Sequence, residues 1–515
     1  MKWFGHNAAL SMRSAGVVVA WIALMIFIAI GATYAFTGYV GFDEAFNLQI
    51  PTNLAQNGEY GTTYQGGQPF DPVITTGPTV LLPIALSFAI FGVGIVPARL
   101  VIFLLWVTFS LLLSAIAYRL GGWLSMLLIL IWSAFLPFFH DFGLKVMGEI
   151  PAMAFLLLGL WTLSKGKAFW GAMLLSFSVV TKISNLFLLG PLAFFYGLRW
   201  LLIPGPSRKE VVKSGLAAIF GFGLPIFAWE AVRLLTLGWP GYRHNWKEFL
   251  QVSGVLPGTR QIVPTRSFVL RLQSIGIPYG VSDQVILGVV VVLLAAVMLW
   301  GLWASRSGVL QADAKHEARL YWLLNASGLV FLAWWFIGNR SNLWRHLLSG
   351  YLLWGLLVGV TVVCWLRGLV HQRRFHGWRE VELIGLALLL LFLVFFPVRL
   401  RFHSLKNELK QTYTCQMNLA NQIRDMAEQK AVFGYWGWFQ APELSFLSQI
   451  SFYDIAQPQT RAQFDRLASQ GHQTYVIVSW VQENQAKESL VEEKQFLGKK
   501  IKEMCGEKIY EYVGE

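Results

Sequence analysis

The fold is decided near the start of the chain by the stretch V-V-V-A-W-I-A-L-M-I-F-I-A-I-G-A-T-Y-A-F, Val17–Phe36. An apolar run of about 20 residues is long enough to cross the hydrocarbon core of a bilayer as a helix. Lys2 and Arg13 precede this run, and no small-residue cleavage site follows it. The run therefore predicts a retained signal anchor whose N-terminus lies in the cytoplasm.

The composition of the whole chain is typical of a membrane protein. Of its 515 residues, 55% are hydrophobic and 13% are charged, which excludes a soluble globular protein of this length. The net charge is +13, but Lys and Arg occur in short clusters between apolar runs. Such clusters are typical of topology signals and of contact with anionic membrane lipids, so no nucleic-acid partner is expected.

Further apolar runs predict a polytopic α-helical membrane protein with about 11 spanning helices. The runs are Val17–Phe36, Ala98–Tyr118, Trp123–Phe139, Ile150–Ser164, Ala168–Val180, Ser184–Leu202, Gly215–Leu237, Val281–Trp303, Leu320–Ile337, Leu347–Leu366 and Val381–Val398. Pro78–Gly92 is also apolar, but a crossing there would place the basic clusters at Lys165 and Arg373 outside, against the positive-inside rule. We therefore expect it to be an interfacial or re-entrant helix of the first outer loop.

Two adjacent carboxylates, Asp43 and Glu44, stand shortly after the first predicted span. The loop that they open, Phe42–Thr79, contains more Gly, Pro, Tyr and Gln than a connector requires. Acidic residues at a membrane boundary are expensive to hold in place, so a chemical role is the leading hypothesis. Solvated loop residues without a chemical role are the alternative.

The predicted topology places the scattered polar residues of the membrane region on one side of the bilayer. They fall at outer helix ends or in outer loops and are Asp43, Glu44, Arg99, His140, Asp141, Lys145, Glu149, Lys182, Arg243, His244, Arg340, Arg345 and His346. A common site is one hypothesis for the set. Each residue alone has a structural alternative, such as snorkelling for Lys182 or headgroup anchoring for Arg99.

The composition changes at about residue 401, where polar, alternating patterns begin and predict a small C-terminal α/β soluble domain. The expected organisation is a transmembrane domain over 1–400, with its first outer loop at 37–97, and an extracytoplasmic domain over 401–515. Helices are predicted over Ser404–Gln429, Pro442–Ile450, Thr460–Ser469 and Glu488–Met504, and strands over Ala431–Trp438, Phe452–Ile455, Tyr475–Trp480 and Lys508–Val513. Cys415 and Cys505 share this domain, where they can either pair or stay reduced.

Several short motifs follow one another in a recognisable order. They are F-D-E-A-F-N (Phe42–Asn47), T-T-G-P-T-V (Thr75–Val80), P-A-R-L (Pro97–Leu100), G-E-I-P-A (Gly148–Ala152), V-V-T-K (Val179–Lys182) and W-R-H-L-L (Trp344–Leu348). Over roughly residues 10–400 this order resembles the C-type membrane glycosyltransferases (the GT-C fold). The likeness is to the bacterial relatives of the dolichyl-phosphate-mannose protein mannosyltransferases and to the lipid A aminoarabinose transferase.

The resemblance implies an inverting transfer of a sugar from a polyprenyl-phosphate donor to a glycan, lipid or protein acceptor outside the membrane. Asp43 matches the catalytic acid of the family, where it would take the proton of the acceptor. Glu44 would orient that base, touch the acceptor or assist a cation, and a divalent cation is left open as a cofactor. The departing lipid phosphate gains charge, so cations and their partners are expected beside it; the candidates are Arg99, Lys182, Arg345, His346, Glu149 and Asp141.

The chain departs from the aminoarabinose-transferase pattern in its first loop, where Thr76-Gly77-Pro78 replaces E-K-P. This difference disfavours lipid A as the acceptor. Two other functions stay open: a transporter or flippase for lipid-linked glycans, which would place polar residues along a path inside its spans, and a non-catalytic assembly protein. No phosphate-binding loop, nucleophile elbow or Cys/His metal spacing occurs in the sequence.

Overall fold

The structure is a computed structural model that describes residues 2–64, 67–135, 139, 142–188, 208–252, 315–337, 348–372, 413–435, 442–455, 458–479, 497–504 and 507–513. The helices are α1 Lys2–Thr37, α2 Phe42–Asn57, α3 Pro78–Phe91, α4 Ile95–Phe135, α5 Glu149–Ser164, α6 Ala168–Thr181, α7 Arg208–Val252, α8 Lys315–Ile337, α9 Leu348–Gln372, α10 over 413–428, α11 Pro442–Ser448 and α12 Pro458–Ser469. The strands are β1 Val432–Tyr435, β2 Tyr453–Asp454, β3 Thr474–Ser479, β4 Leu497–Met504 and β5 Glu507–Tyr512.

Long apolar helices dominate the first part of the chain. Among the described residues, Gly16–Phe36, Ile95–Ala134 and Lys209–Gln251 are long and apolar enough to cross a membrane. Shorter apolar helices match further predicted runs at Glu149–Ser164, Ala168–Thr181 and Leu348–Thr361. The predicted runs Val281–Trp303 and Val381–Val398, and most of Ser184–Leu202, lie outside the described residues.

Two glycines divide the longest helices at the ends of predicted runs. The runs Ala98–Tyr118 and Trp123–Phe139 are largely the two halves of α4, which is interrupted at Gly122 with φ 74°. Likewise, α7 is interrupted at Gly238 with φ 64°, directly after the predicted run Gly215–Leu237. Glycine adopts such left-handed angles without the steric cost that a side chain brings. The chain therefore changes direction where the apolar pattern pauses.

Helix α3 is the apolar helix of the segment between α1 and α4 (the first loop). Its 14 residues rise only about 21 Å, less than the thickness of a hydrocarbon core of about 30 Å. One face, with Val80, Ile84 and Phe88, is buried against the protein. The opposite face exposes large apolar side chains, namely Leu82, Leu86, Ile90 and Phe91. This two-faced apolar surface suits a short helix with lipid on one side and protein on the other.

The core of the membrane region is built from α1, α4, α5, α8 and α9. Aromatic side chains form its centre: the ring of Phe27 stacks on Trp106 at 5.0 Å and on Phe139 at 5.7 Å between centroids. Trp106 is fully buried. This packing holds the first half of α4, before Gly122, against α1. It thereby positions the segment that leads from α1 into α2.

The C-terminal domain is a mixed sheet with helices, as predicted, with strand order β2-β1-β3-β5-β4. The first three strands are parallel, whereas β5 pairs antiparallel with β3 and β4. The predicted helix Glu488–Met504 is wrong over Leu497–Met504, which is the edge strand β4. Its Lys-rich composition resembles an exposed helix, but pairing with β5 decides its structure, and charged residues are also common on edge strands. Cys415 is disulfide-bonded; Cys505 lies outside the described residues.

The C-terminal domain packs directly on the first loop. A second core cluster joins Ala45 and Leu48 of α2 and Ile84 of α3 to Phe446 and Leu447 of α11. Gln416 of α10 closes this contact, because its amide donates to the Val40 carbonyl at 3.0 Å and its Oε1 accepts from the Val40 N–H at 3.1 Å. The loop, the membrane region and the C-terminal domain therefore meet around the start of α2.

Candidate active site

Helix α2 begins directly at the acid pair. Gly41 is extended at its N-cap, and Asp43 and Glu44 occupy the first turn, where the helix dipole favours negative charge. The Gly41 N–H donates back to Glu44 Oε2 at 3.4 Å. The helix ends at Gly58, which is left-handed with φ 76° and donates to the Leu54 carbonyl. Asp43 is half-buried, whereas Glu44 is completely buried.

The carboxylate of Glu44 is held by Arg99 of α4 in a bidentate pair. Arg99 Nε donates to Oε1 at 2.9 Å and Nη2 donates to Oε2 at 2.6 Å. Arg99 also donates to the carbonyls of Ala35, Gly38 and Tyr39 at 3.2, 2.7 and 2.7 Å. A guanidinium has five N–H groups, and these contacts engage all of them. The pair is therefore a saturated, buried clamp between α4 and the entry to α2.

The segment 145–149 crosses beside this clamp. The Val146 N–H donates to Glu44 Oε1 at 3.3 Å, and Asn47 of α2 donates to the Val146 carbonyl at 2.7 Å. Lys145 is nearly buried and places its Nζ 3.6 Å from the centre of the Tyr39 ring, which is a cation–π contact. A cation therefore lies beside the chain that leads into Asp43.

A second buried ion pair lies at the other end of this segment. Lys182 Nζ is 3.2 Å from Glu149 Oε1 and donates to Thr75 Oγ1 at 3.1 Å. Lys182 and Glu149 are 7% and 4% exposed. The loop reaches Lys182 through an antiparallel bridge between Thr76 and Lys182. The pairing requires glycine at position 77, because a Cβ there would overlap the Val180 carbonyl.

Several predicted site residues are thus brought together. Asp43, Glu44 and Arg99 lie on one side of the segment 145–149, and Glu149 and Lys182 lie at its far end, with Lys182 in contact with the Gly148 position. Arg243 and His244 are exposed on α7, where His244 pairs with Glu248. Other predicted residues lie outside the described part of the chain: His140, Asp141, Arg340, Arg345 and His346. Within the described residues no group of three or more His, Cys, Asp and Glu converges as a metal site.

Sequence reasoning missed a residue of the C-terminal domain, Glu443 of α11. Its Oε2 is buried and has no hydrogen-bond partner among the described residues. Burial raises the pKa of the Glu443 carboxyl to about 7; a hydrogen bond from its own backbone opposes this shift, and the negative charge of Asp43 adds to it. Glu443 lies some 400 residues along the chain from Asp43 and carries no local motif, so nothing in the sequence indicated that they meet.

A further polar contact joins the first loop to the C-terminal sheet. Tyr64 donates to Asp71 Oδ2 at 2.7 Å, and its ring meets Tyr435 of β1 edge-on at 6.1 Å. Asp71 and Asp454 are both buried. Burial raises the pKa of the Tyr435 hydroxyl, and the charge of Asp454 adds to the shift. Both tyrosines therefore stay neutral and hold the loop against the domain.

The chain is similar in structure to ArnT, the lipid A aminoarabinose transferase, from Cupriavidus metallidurans. The apo crystal structure of that protein matches with a TM-score of 0.61 and 14% identity, over 98% of this chain and 99% of that chain. Its crystal structure bound to undecaprenyl phosphate matches with a TM-score of 0.56 and 14% identity, over 98% of each chain.

A weaker match is the arabinosyltransferase EmbB from Mycobacterium smegmatis, with a TM-score of 0.41 and 13% identity over 66% of this chain and 30% of that chain. No family model and no curated protein matches the sequence. The match to ArnT over nearly the whole length of both chains nevertheless confirms the resemblance at the level of the fold. The chain therefore shares the polytopic membrane fold of ArnT.

Proposed function

We propose that this protein is an integral membrane glycosyltransferase that transfers a sugar, with inversion, from a polyprenyl-phosphate donor to an acceptor outside the membrane. The observation that carries the proposal is the half-buried Asp43 at the start of α2, flanked by a saturated Glu44–Arg99 clamp. The fold shared with ArnT supports it, because one crystal structure of that protein contains undecaprenyl phosphate.

Asp43 is the proposed general base. Inversion requires a base on the face of the sugar opposite the leaving phosphate, where it takes the proton of the acceptor hydroxyl or amine. Its neighbour Glu44 is buried and turned into the clamp, so it does not reach a substrate. We therefore assign Glu44 to positioning Asp43 rather than to contact with the acceptor.

The role of Arg99 differs from the expectation of a donor-phosphate ligand. All of its N–H groups are engaged by Glu44 and by the carbonyls at the end of α1 and just beyond it. Binding a phosphate would break bonds of a buried ion pair, which is costly. We therefore assign Arg99 to positioning as well.

Among the residues that the structure describes, Lys182 is the proposed ligand of the donor phosphate. An ammonium has three N–H groups, and Glu149 and Thr75 account for two of them. Glu149 keeps the charged Lys182 in place, and Lys145 offers a second cation near α2. Arg345, His346 and Asp141 stay proposed donor-site residues on the strength of the sequence alone.

The proposed topology has about 11 spans, a cytoplasmic N-terminus, a transmembrane domain over 1–400 and an extracytoplasmic domain over 401–515. In this arrangement α3 lies in the outer interface, as its length and its exposed apolar face favour. The buried charged residues of the described spans gather at one end rather than along a path, which favours an enzyme over a transporter.

Replacing Asp43 with Asn tests the proposal, since it keeps the volume and removes the base. Transfer from a polyprenyl-phosphate sugar by the purified protein should fall by about 100-fold or more, while donor binding is retained. Glu59→Gln, at an exposed position of the same loop, is the matched control and should leave transfer unchanged. Near-normal turnover in Asp43→Asn would exclude Asp43 as the base.

A further inference from the structure

The carboxyl of Glu443 occupies an unusual place for an acidic group. The residue is half-buried, but its Oε2 is sealed from solvent and has no hydrogen-bond partner among the described residues. An ionised carboxylate in that position would lose the hydration of Oε2 with only a hydrogen bond to its own backbone in return, which is unfavourable. The neutral form avoids most of this cost.

Helix α11, which carries Glu443, rests directly on the helix that carries Asp43. Phe446 and Leu447 of α11 pack in one cluster with Ala45 and Leu48 of α2, and the ring of Phe446 stacks on Phe88 of α3 at 6.4 Å. Asp43 precedes Ala45 by two residues on α2, and Glu443 precedes Phe446 by three residues on α11. The two carboxyl groups therefore act on each other across the contact.

The other charged groups around α11 do not neutralise Glu443. Arg424 of α10 donates to the carbonyls of Leu447 and Ser448, at the opposite end of α11. Glu44 of α2 is paired with Arg99, Asp425 and Glu428 of α10 are exposed to solvent, and α3 contains no charged residue. On the sheet side, where Leu444 of α11 packs, the buried charged residues Asp71 and Asp454 are acids as well. The cation Lys145 lies over the Tyr39 ring. Among the described residues, the charge that acts on Glu443 is thus the negative charge of Asp43.

We propose that Glu443 is a positioning residue for Asp43, and that only its neutral form lets the C-terminal domain hold the first turn of α2 in place. When Glu443 loses its proton to water, a buried, unpartnered charge faces Asp43, and the contact between α11 and α2 weakens. The C-terminal domain would thereby make transfer depend on the pH outside the membrane. For its effect on transfer, this inference rests on the proposed function of Asp43.

Hydrogen exchange of the detergent-purified full chain tests the contact without any substrate. After correction for the intrinsic pH dependence of exchange, backbone amides in the first turns of α2 and in α11 should lose protection as the pH rises through about 7, where Glu443 ionises. Glu443→Gln, a neutral isostere, should keep protection at high pH. Glu443→Asp, which still titrates, should retain the loss, and Glu428→Gln should behave as the unmodified protein.

The pH profile of transfer provides the second readout. The unmodified protein and Glu428→Gln should lose activity by about 10-fold on the alkaline side of this transition, as expected for a displaced base, whereas Glu443→Gln should not. If Glu443→Gln fails to fold, Glu443→Leu is the second neutral variant. If the hydrogen-exchange and transfer pH profiles of the unmodified protein and of the neutral Glu443 variant were superimposable, the inference would be overturned. Unchanged transfer in Asp43→Asn would overturn the proposed function instead.

Discussion

At the residue scale, the first turn of α2 shows how surroundings separate two adjacent carboxylates. Glu44 faces inward, where Arg99, the Gly41 N–H and the Val146 N–H satisfy both of its oxygens. Asp43 is half-buried, and its negative charge acts on Glu443 of the C-terminal domain. Two adjacent carboxylates therefore differ in burial, and the fully buried one is held by a complete set of hydrogen bonds.

The two buried ion pairs should respond differently to neutral substitutions. Arg99→Gln leaves Glu44 buried without its partner, so the free energy of unfolding should fall by about 3–5 kcal/mol. The double variant Arg99→Gln/Glu44→Gln removes that charge and should recover much of the loss. The corresponding double variant Lys182→Gln/Glu149→Gln should also stay folded, but it should weaken use of the donor by about 10-fold or more, because a charged hydrogen bond to phosphate is lost.

Thermal unfolding in detergent and transfer rates over a range of donor concentrations measure these effects. The stability of each double variant serves as the control for its single variants. An unchanged dependence on donor concentration in Lys182→Gln/Glu149→Gln would remove Lys182 from the donor site. Full stability of Arg99→Gln would contradict the assignment of Arg99 to positioning.

At the scale of elements, the approach of the first loop to the end of α6 depends on close backbone contact. The Gly77 N–H donates to the Thr181 carbonyl at 2.9 Å, and the hydroxyls of Thr79 and Thr181 are 2.6 Å apart. These bonds place the Thr75 hydroxyl within hydrogen-bond distance of Lys182. Gly77 therefore lets the first loop approach the end of α6 closely enough for Thr76 to pair with Lys182.

Gly77→Ala should therefore impair both stability and transfer. Its Cβ would overlap the backbone of Val180, so the two segments would have to separate, at a cost of about 1–3 kcal/mol. Gly215→Ala on α7 is the control, because a Cβ there meets nothing within 4 Å. Unfolding temperature and transfer rate are the measurements, and equal behaviour of both variants would show that the close approach is unimportant.

At the scale of the whole molecule, the C-terminal domain is a structural part of the candidate site. It contacts α2 through α11, the connection between α1 and α2 through Gln416, and the first loop through Tyr435. These contacts place it on the same side of the molecule as the acid pair. An extracytoplasmic active site therefore requires an extracytoplasmic C-terminus.

Cysteine accessibility checks this topology. Single cysteines introduced at positions 165 to 167 should be protected from a membrane-impermeant reagent in intact cells, because basic loops face the cytoplasm. A cysteine at the exposed position Gln470, after α12, should react. Labelling at the first position, or protection at the second, would reverse the proposed orientation.

The sequence by itself determined the membrane class, the position of the described apolar helices, and the small C-terminal sheet with helices. These features follow from the length of apolar runs and from local backbone preferences, which are properties of neighbouring residues. The order of short motifs also indicated the fold. The boundary of the domains and the orientation of the chain stay predictions.

Only the tertiary structure decided which polar groups are engaged. It paired Arg99 with Glu44, 55 residues earlier, and it paired Lys182 with Glu149. It made Leu497–Met504 a strand, because the ladder with β5 outweighs the local preference of a charged segment. It also set Glu443 against the helix of Asp43, because contacts between distant parts of a chain arise from packing, which local sequence does not encode.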